Sequence, residues 1–297
     1  MIYYIILIIA TLIAAGKALM CKAIGAVDTT KKEKLSLNLK AFFVAFCCSL
    51  LFVANDISQI FSISTFSFVL SILFAISVSV TQIAQMKSMG NGPASIVTLI
   101  FSSAFLIPII YSFIALSEEV SIAQWIGVAL LAVALTLSVW KKEEKKSLKC
   151  WLPAAIIAMI CSGTSAIIQK NHQSSIYAEE IYAFLVCCLF FSTIFTGVAY
   201  LLTRETAEEK NAKVKNKKKL VELVLPLCLG ACSAILSYLN LMLSGKLLSV
   251  VQFPTYNVGS LLLVSIISFV FYKEKTTHIQ KIGFCLGIVA ILIIGLL

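Results

Sequence analysis

Ten apolar stretches, most of them 18 to 24 residues long and separated by short polar or basic segments, constrain this chain more than any other feature. A helix rising about 1.5 Å per residue needs about 20 residues to cross a hydrocarbon core of about 30 Å. A lipid interior offers no water to backbone amides, so such stretches are expected as helices. The runs place these helices at Ile2–Cys21, Leu39–Val53, Thr65–Met86, Ala94–Leu116, Ile122–Trp140, Trp151–Lys170, Glu180–Leu202, Leu220–Leu243, Ser249–Tyr272 and Ile279–Leu297. The second is the shortest, because Asn55 and Asp56 follow it. A soluble helical protein would need polar helix faces, whereas this chain is 60% hydrophobic and 13% charged, with mean hydropathy +0.99. The first stretch lacks a basic segment before it and carries Lys17 and Lys22 at its far end, so it is read as a retained helix and not a cleaved signal.

A pattern in the fourth and fifth stretches recurs near the C-terminus. Glu118 is followed by Gln124 and Gly127, and Glu274 by Gln280 and Gly283, at the same spacing and a constant offset of 156 residues. Met86/Met242 and Ser88/Ser244 share that offset. Cys47 and Cys48 correspond to Cys187 and Cys188 at an offset of 140, and the difference equals the length of the charged stretch Arg204 to Lys219. The chain is thus read as two five-helix repeats. Residues 1–140 form the first, 141–150 a basic linker, and 151–297 the second with its charged loop at 204–219. An odd number of crossings per repeat inverts one half relative to the other. The expected fold is an all-α polytopic membrane protein of ten transmembrane helices in two inverted five-helix repeats.

The net charge of +10 does not point to nucleic acid, because of where it lies. Of the 24 basic residues, all but Lys17, Lys170 and Lys246 fall after helices 1, 3, 5, 7 and 9. By the positive-inside rule those connections are cytoplasmic and both termini lie outside. The expected location is a prokaryotic cytoplasmic membrane, with membrane lipids as surroundings and no nucleic-acid partner.

Reaction chemistry has little to stand on. The cysteines are not grouped as Cys-x-x-Cys, and the two histidines, His172 and His278, fall in separate loops, so no metal site is expected. Cys47, Cys48, Cys187 and Cys188 read as small buried filler. Phosphate loops, nucleophile elbows and paired intramembrane carboxylates are missing from the sequence. Glu118, Glu119, Glu179 and Glu180 sit at helix ends, where solvation accounts for them. The chain is expected not to be an enzyme and to need no cofactor, with coupling to a proton or other ion gradient left unassigned.

The duplicated glutamate-glutamine-glycine pattern after a long apolar helix, in a ten-helix chain of this length, resembles the EamA-like family of the drug/metabolite transporter superfamily. The resemblance spans Ile2 to Leu297, and Gly16 and Gly163 match small residues of the first and sixth helices. It implies that Glu118, Gln124, Gly127, Glu274, Gln280 and Gly283 are structural. It also implies a substrate route lined by helices 1, 3, 4, 6, 8 and 9, with helices 5 and 10 supporting it or forming a dimer contact; the chain is expected as monomer or homodimer. Ten-helix members usually have cytoplasmic termini, opposite to the charge distribution here.

Polar residues within apolar helices are the candidate substrate contacts, since facing lipid would cost them free energy. They are Gln82 and Gln85 on helix 3, Tyr238 and Asn240 on helix 8, and Gln252, Tyr256 and Asn257 on helix 9, with Lys17 on helix 1 as a further charge. Each admits a second reading: hydrogen bonding between helices, or, for Lys17, snorkelling to the interface. Pro93 and Pro254 are placed at or near helix starts, and Pro108 is expected to kink helix 4. The function expected is a secondary transporter of a small amino-acid-like, neutral or zwitterionic metabolite or amphiphilic drug, working by alternating access, with efflux as the expected direction. The alternatives are a membrane scaffold or assembly protein, and an intramembrane lipid-processing enzyme.

Overall fold

Backbone groups inside a bilayer must be satisfied within the chain, and the apolar runs do so as helices. The computed structural model describes residues 1–25, 31–54, 58–91, 94–138, 148–203, 224–271 and 277–296. The helices are α1 (Ile2–Gly25), α2 (Lys31–Phe52), α3 (Thr65–Asn91), α5 (Ile122–Ser138), α6 (Leu148–Ser174), α7 (Ile181–Leu202), α8 (Leu225–Ser244), α9 (Ser249–Phe271) and α10 (His278–Leu296). Between α3 and α5, α4 comprises Ala94–Ser102, a 3-10 turn at Ser103–Phe105, and Leu106–Ala115. A four-residue helical turn, Ser58–Phe61, precedes α3. Among the described residues nine segments are long and apolar enough to cross a membrane, and Ile122–Ser138 is a shorter apolar helix. The protein is an integral polytopic membrane protein of ten helices.

Several boundaries differ from the sequence expectation. Helix α2 begins at Lys31, eight residues early, because the charged turn Lys31 to Lys34 continues helically and gives the short apolar run a full-length helix. Helix α6 runs from Leu148 to Ser174, so it starts inside the proposed linker and carries Lys170 and His172 within it. Pro254 is the sixth residue of α9, near its start and within the helix. Pro108 follows the 3-10 turn, where tightening of the helix accommodates the bond that proline cannot make to Ala104. Asn55, Asp56, Pro93, Trp140, Glu274 and the loop 204–219 lie outside the described residues.

The repeats are interleaved. Helix α3 packs on α6, and its counterpart α8 on α1; α2 packs on α8, and its counterpart α7 on α3; α1 packs on α9, and its counterpart α6 on α4. The remaining major contacts, α2 on α7 and α5 on α10, are their own counterparts. Each half therefore buries its apolar surface mainly against the other, around an axis that exchanges them. One apolar cluster joins Leu7, Phe105, Leu131, Leu236, Val258 and Ile294; a second joins Ala45, Phe74, Ile168, Phe184 and Leu241. Ile5, Ile8, Phe43 and Ile160 are among the apolar side chains left exposed, as a lipid-facing surface requires. Cys187 and Cys188 are buried as expected, whereas Cys47 is exposed.

The repeated glutamine and glycine acquire a physical reason here. Ser121 and Gln124 cap α5 reciprocally: the Ser121 N–H donates to Gln124 Oε1 and the Gln124 N–H to Ser121 Oγ, both at 3.1 Å. Thr277 and Gln280 repeat this on α10 at 3.0 and 3.3 Å. Three residues further on, the glycines let the two helices touch. A Cβ at Gly127 would lie 2.6 Å from Ile294, and one at Gly283 would lie 2.5 Å from the Ser138 backbone nitrogen. The motif caps and seats the α5·α10 pair.

Candidate functional site

The termini and the connections after α2, α4, α6 and α8 define one face of the bundle, the terminal face; the lysine-rich connections define the other, the basic face. At the terminal face α4 ends at Ala115 and Ser117 adopts φ 52°, turning the chain so that Glu118 points back toward the bundle. Lys170 Nζ lies 2.6 Å from Glu118 Oε1, with only 7% and 11% of the two side chains exposed. The lysine also donates to the Leu247 carbonyl at 2.9 Å. The other carboxylate oxygen of Glu118 accepts the Ser249 N–H at 2.9 Å, at the first residue of α9, where a helix N-terminus favours an anion. The Ser112 and Ser249 hydroxyls meet at 2.7 Å. Four segments, from both repeats, are fastened through one buried ion pair. Solvation, the expectation for Glu118, is replaced by burial and pairing.

The end of α6 is the hub of this closure. After Lys170, Asn171 accepts the Tyr111 hydroxyl of α4 at 2.9 Å. His172, expected in a loop, is fully buried in the helix, stacked on Phe184 with ring centroids 3.9 Å apart. Its Nε2 lies 3.2 Å from Ser67 Oγ on α3, and Ser67 Oγ lies 3.0 Å from Ser64 Oγ. Glu180, at the start of α7, accepts the Ser64 hydroxyl at 2.8 Å and the Ser64 N–H at 3.1 Å. Here too a carboxylate expected to be merely solvated holds a helix N-terminus, with Ser64 capping α3 through the Ser67 N–H. Glu179 is exposed.

Beneath the closure a polar band joins α8 to α9. The fully buried Gln252 donates through Nε2 to the Asn240 carbonyl at 2.8 Å and to Ser244 Oγ at 3.1 Å, while its Oε1 has no partner among the described residues. Tyr256 stands beside the Asn240 side chain. Asn257, about 100° further round α9, is half-buried, with its side-chain amide unpaired among the described residues. Tyr256 lies seven residues into α9, about 10 Å below its start. The adjoining wall is α1, where Thr11 would lie 3.1 Å from a Cβ at Gly259.

The other candidates lie elsewhere. Tyr238 points away from this band, stacking between Phe52 of α2 at 5.1 Å and Tyr182 of α7 at 5.8 Å. Gln82 and Gln85 sit toward the basic-face end of α3, half-buried, with Gln82 Oε1 unpartnered. Lys17 is half-buried toward the basic-face end of α1. Inversion explains the separation: Gln82 and Tyr238 are equivalent in sequence and therefore at opposite depths. Among the described residues there is no cluster of three or more His, Cys, Asp or Glu side chains able to hold a metal.

Comparison with known proteins agrees with this architecture. Residues 149–296, the second repeat, match the EamA-like transporter family. No curated protein matches the sequence. Twenty-eight chains of solved structures match. One of them, described as "Crystal structure of protein", aligns with a TM-score of 0.75 at 12% identity, covering 99% of this chain and 97% of that chain. At that identity the likeness concerns the fold, and it extends over both repeats. The chain belongs to the EamA-like transporter family of the drug/metabolite transporter superfamily, and its general function is membrane transport.

Proposed function

We propose that this protein exports a small neutral or zwitterionic metabolite by alternating access, loading it from the basic face while the terminal face is closed. The observation that carries this reading is the polar band of Asn240, Gln252, Tyr256 and Asn257 lying directly beneath the Lys170–Glu118 closure. Inverted repeats exchange conformations about an axis in the membrane plane, so a closure on one face is paired with opening on the other. The lysine asymmetry places the basic face in the cytoplasm, which makes the described conformation the loading state for export. The band offers hydroxyl and amide groups and no fixed charge, which suits a solute carrying its own donors and acceptors. Asn257 contributes the amide that no helix partner occupies, and Tyr256 and Asn240 hold the wall beside it.

Metabolite pools inside and outside cells that overproduce or lack the protein identify the exported class. Flux of that class is then measured in proteoliposomes containing the wild type, Tyr256→Phe or Asn257→Ala, each checked for insertion. Asn257→Ala is expected to weaken apparent affinity about tenfold or more, as losing one hydrogen bond to a buried group does. Equal affinity and rate in both variants would assign the pair to packing. Impermeant thiol labelling gives the orientation: cysteines at 145 and 215 should react only from the cytoplasm and one at Ile176, 88% exposed on the terminal face, only from outside.

A further inference from the structure

We propose that His172 is the proton-binding site of the transport cycle, and that protonating it releases the closure of the terminal face. For its role in transport this rests on the alternating-access reading above. The imidazole is fully buried in a membrane-spanning helix, yet a line of hydroxyls joins it to a half-buried carboxylate at the surface. Nε2 lies 3.2 Å from Ser67 Oγ, and the Ser64 hydroxyl stands within donating distance of Ser67 Oγ at 3.0 Å and of Glu180 Oε2 at 2.8 Å. The single Ser64 hydroxyl proton serves one of these two acceptors at a time. In the neutral ring Nε2 carries the proton and donates to Ser67, so the second proton is taken from water at Nδ1 and returns to water from there. The imidazolium so formed faces the Glu180 carboxylate through Ser67 and Ser64, which stabilises its charge.

The opposite edge of the ring is tied to the closure. Nδ1 lies 3.0 Å from Gln173 Nε2 and accepts its N–H when the ring is neutral. The Gln173 carbonyl oxygen packs against the turn between α8 and α9, 3.1 Å from where a Cβ of Gly245 would stand. Two residues on, that turn supplies the Leu247 carbonyl to Lys170, and then the Ser249 N–H to Glu118. A proton on Nδ1 makes the ring a donor at both edges and sets it against the donor on Gln173. The amide must turn over, exchanging its oxygen and nitrogen beside Gly245 and disturbing the seat of Lys170. The added positive charge also lies two residues from Lys170 on α6. The other charged groups around the ring are Glu180 at the start of α7 and the exposed Lys246 on the α8–α9 turn; α3 and α7 face it with Ser67 and Phe184.

The test needs no transported solute, so failure of the proton site and failure of the transport reading are distinguishable. His278→Gln leaves His172 as the only histidine, since the chain has two. Its [15N]imidazole resonances are followed in nanodiscs across about pH 4 to 8, the range in which imidazoles ionise. In parallel, hydrogen exchange of the segment 243–249 is measured and corrected for the intrinsic pH dependence of exchange. We expect the ring to titrate, and protection of this segment to fall about tenfold as it does so. In His172→Gln that fall should vanish. In Gln173→Met the ring should still titrate while the fall is lost, which decides the matter should His172→Gln not insert. A ring that does not titrate in this range, or exchange with the same pH profile in wild type and variants, overturns the proposal.

Discussion

Gly163 of α6 and Gly16 of α1, small residues of the sixth and first helices, stand in opposite surroundings. A Cβ at Gly163 would lie 2.6 Å from Ile107 of α4, whereas one at Gly16 would meet nothing within 4 Å. Beyond Gly163, toward the terminal face, α6 sends Lys170, Asn171 and His172 each to a different neighbour. Gly16 lies in the half of α1 nearer the basic face, where the helix surface stands clear. One pattern therefore exists in two packings within one molecule. That is the asymmetry an inverted-repeat transporter needs: the closed arrangement of one half is available to the other when access changes sides.

The largest effects should come from breaking the closed side. Lys170→Met leaves Glu118 buried without its cation, and Glu118→Gln does the converse. Losing one partner of a buried pair costs about 3–5 kcal/mol. We expect a lower unfolding midpoint in nanodiscs for each single variant, and a double variant less destabilised than the sum of the two, as coupled partners require. Additive losses would mean that the pair does not hold the face together.

The glycines sharpen the comparison at a smaller scale. Gly163→Ala must displace Ile107 and should cost about 1–3 kcal/mol by overpacking. Gly16→Ala adds a methyl to open space in a helix and should be neutral or stabilising by up to about 1 kcal/mol. Similar unfolding midpoints for the two variants would show the two glycines to be packed alike. Smallest is the cap. Gln280→Ala removes a half-buried side chain that accepts the Thr277 N–H, and should cost about 0.5–1 kcal/mol by denaturant titration.

The ten helices, the repeat and the family resemblance were legible in the sequence because run length and residue spacing are local properties. The constant spacing of Gln124 with Gly127 and Gln280 with Gly283 marked structural positions; the cap and the helix crossing supply the reason. The closure was not legible. Lys170 ended an apolar run and so read as a loop charge, and His172 fell with it. Only Glu118, 52 positions away, makes that lysine tolerable inside the bundle, and sequence spacing carries no sign of such a partner. Tyr238 stands apart from the α8–α9 band for another reason. Its equivalence to Gln82 was visible, but inversion converts equivalence into separation, and the side chain found aromatic neighbours on α2 and α7. Asn240 and Tyr256 came together because α8 and α9 are joined by a short turn, a proximity the chain order already contains.

The most direct measurement is the distance between spin labels at Ile122 and Ile176, both exposed on the terminal face, in protein whose ten native cysteines have been replaced. In nanodiscs the otherwise unmodified chain should give one short-distance population, and Glu118→Gln should add a second, longer one as the terminal face opens. Identical distance distributions with and without Glu118→Gln would contradict closure by the Lys170–Glu118 pair.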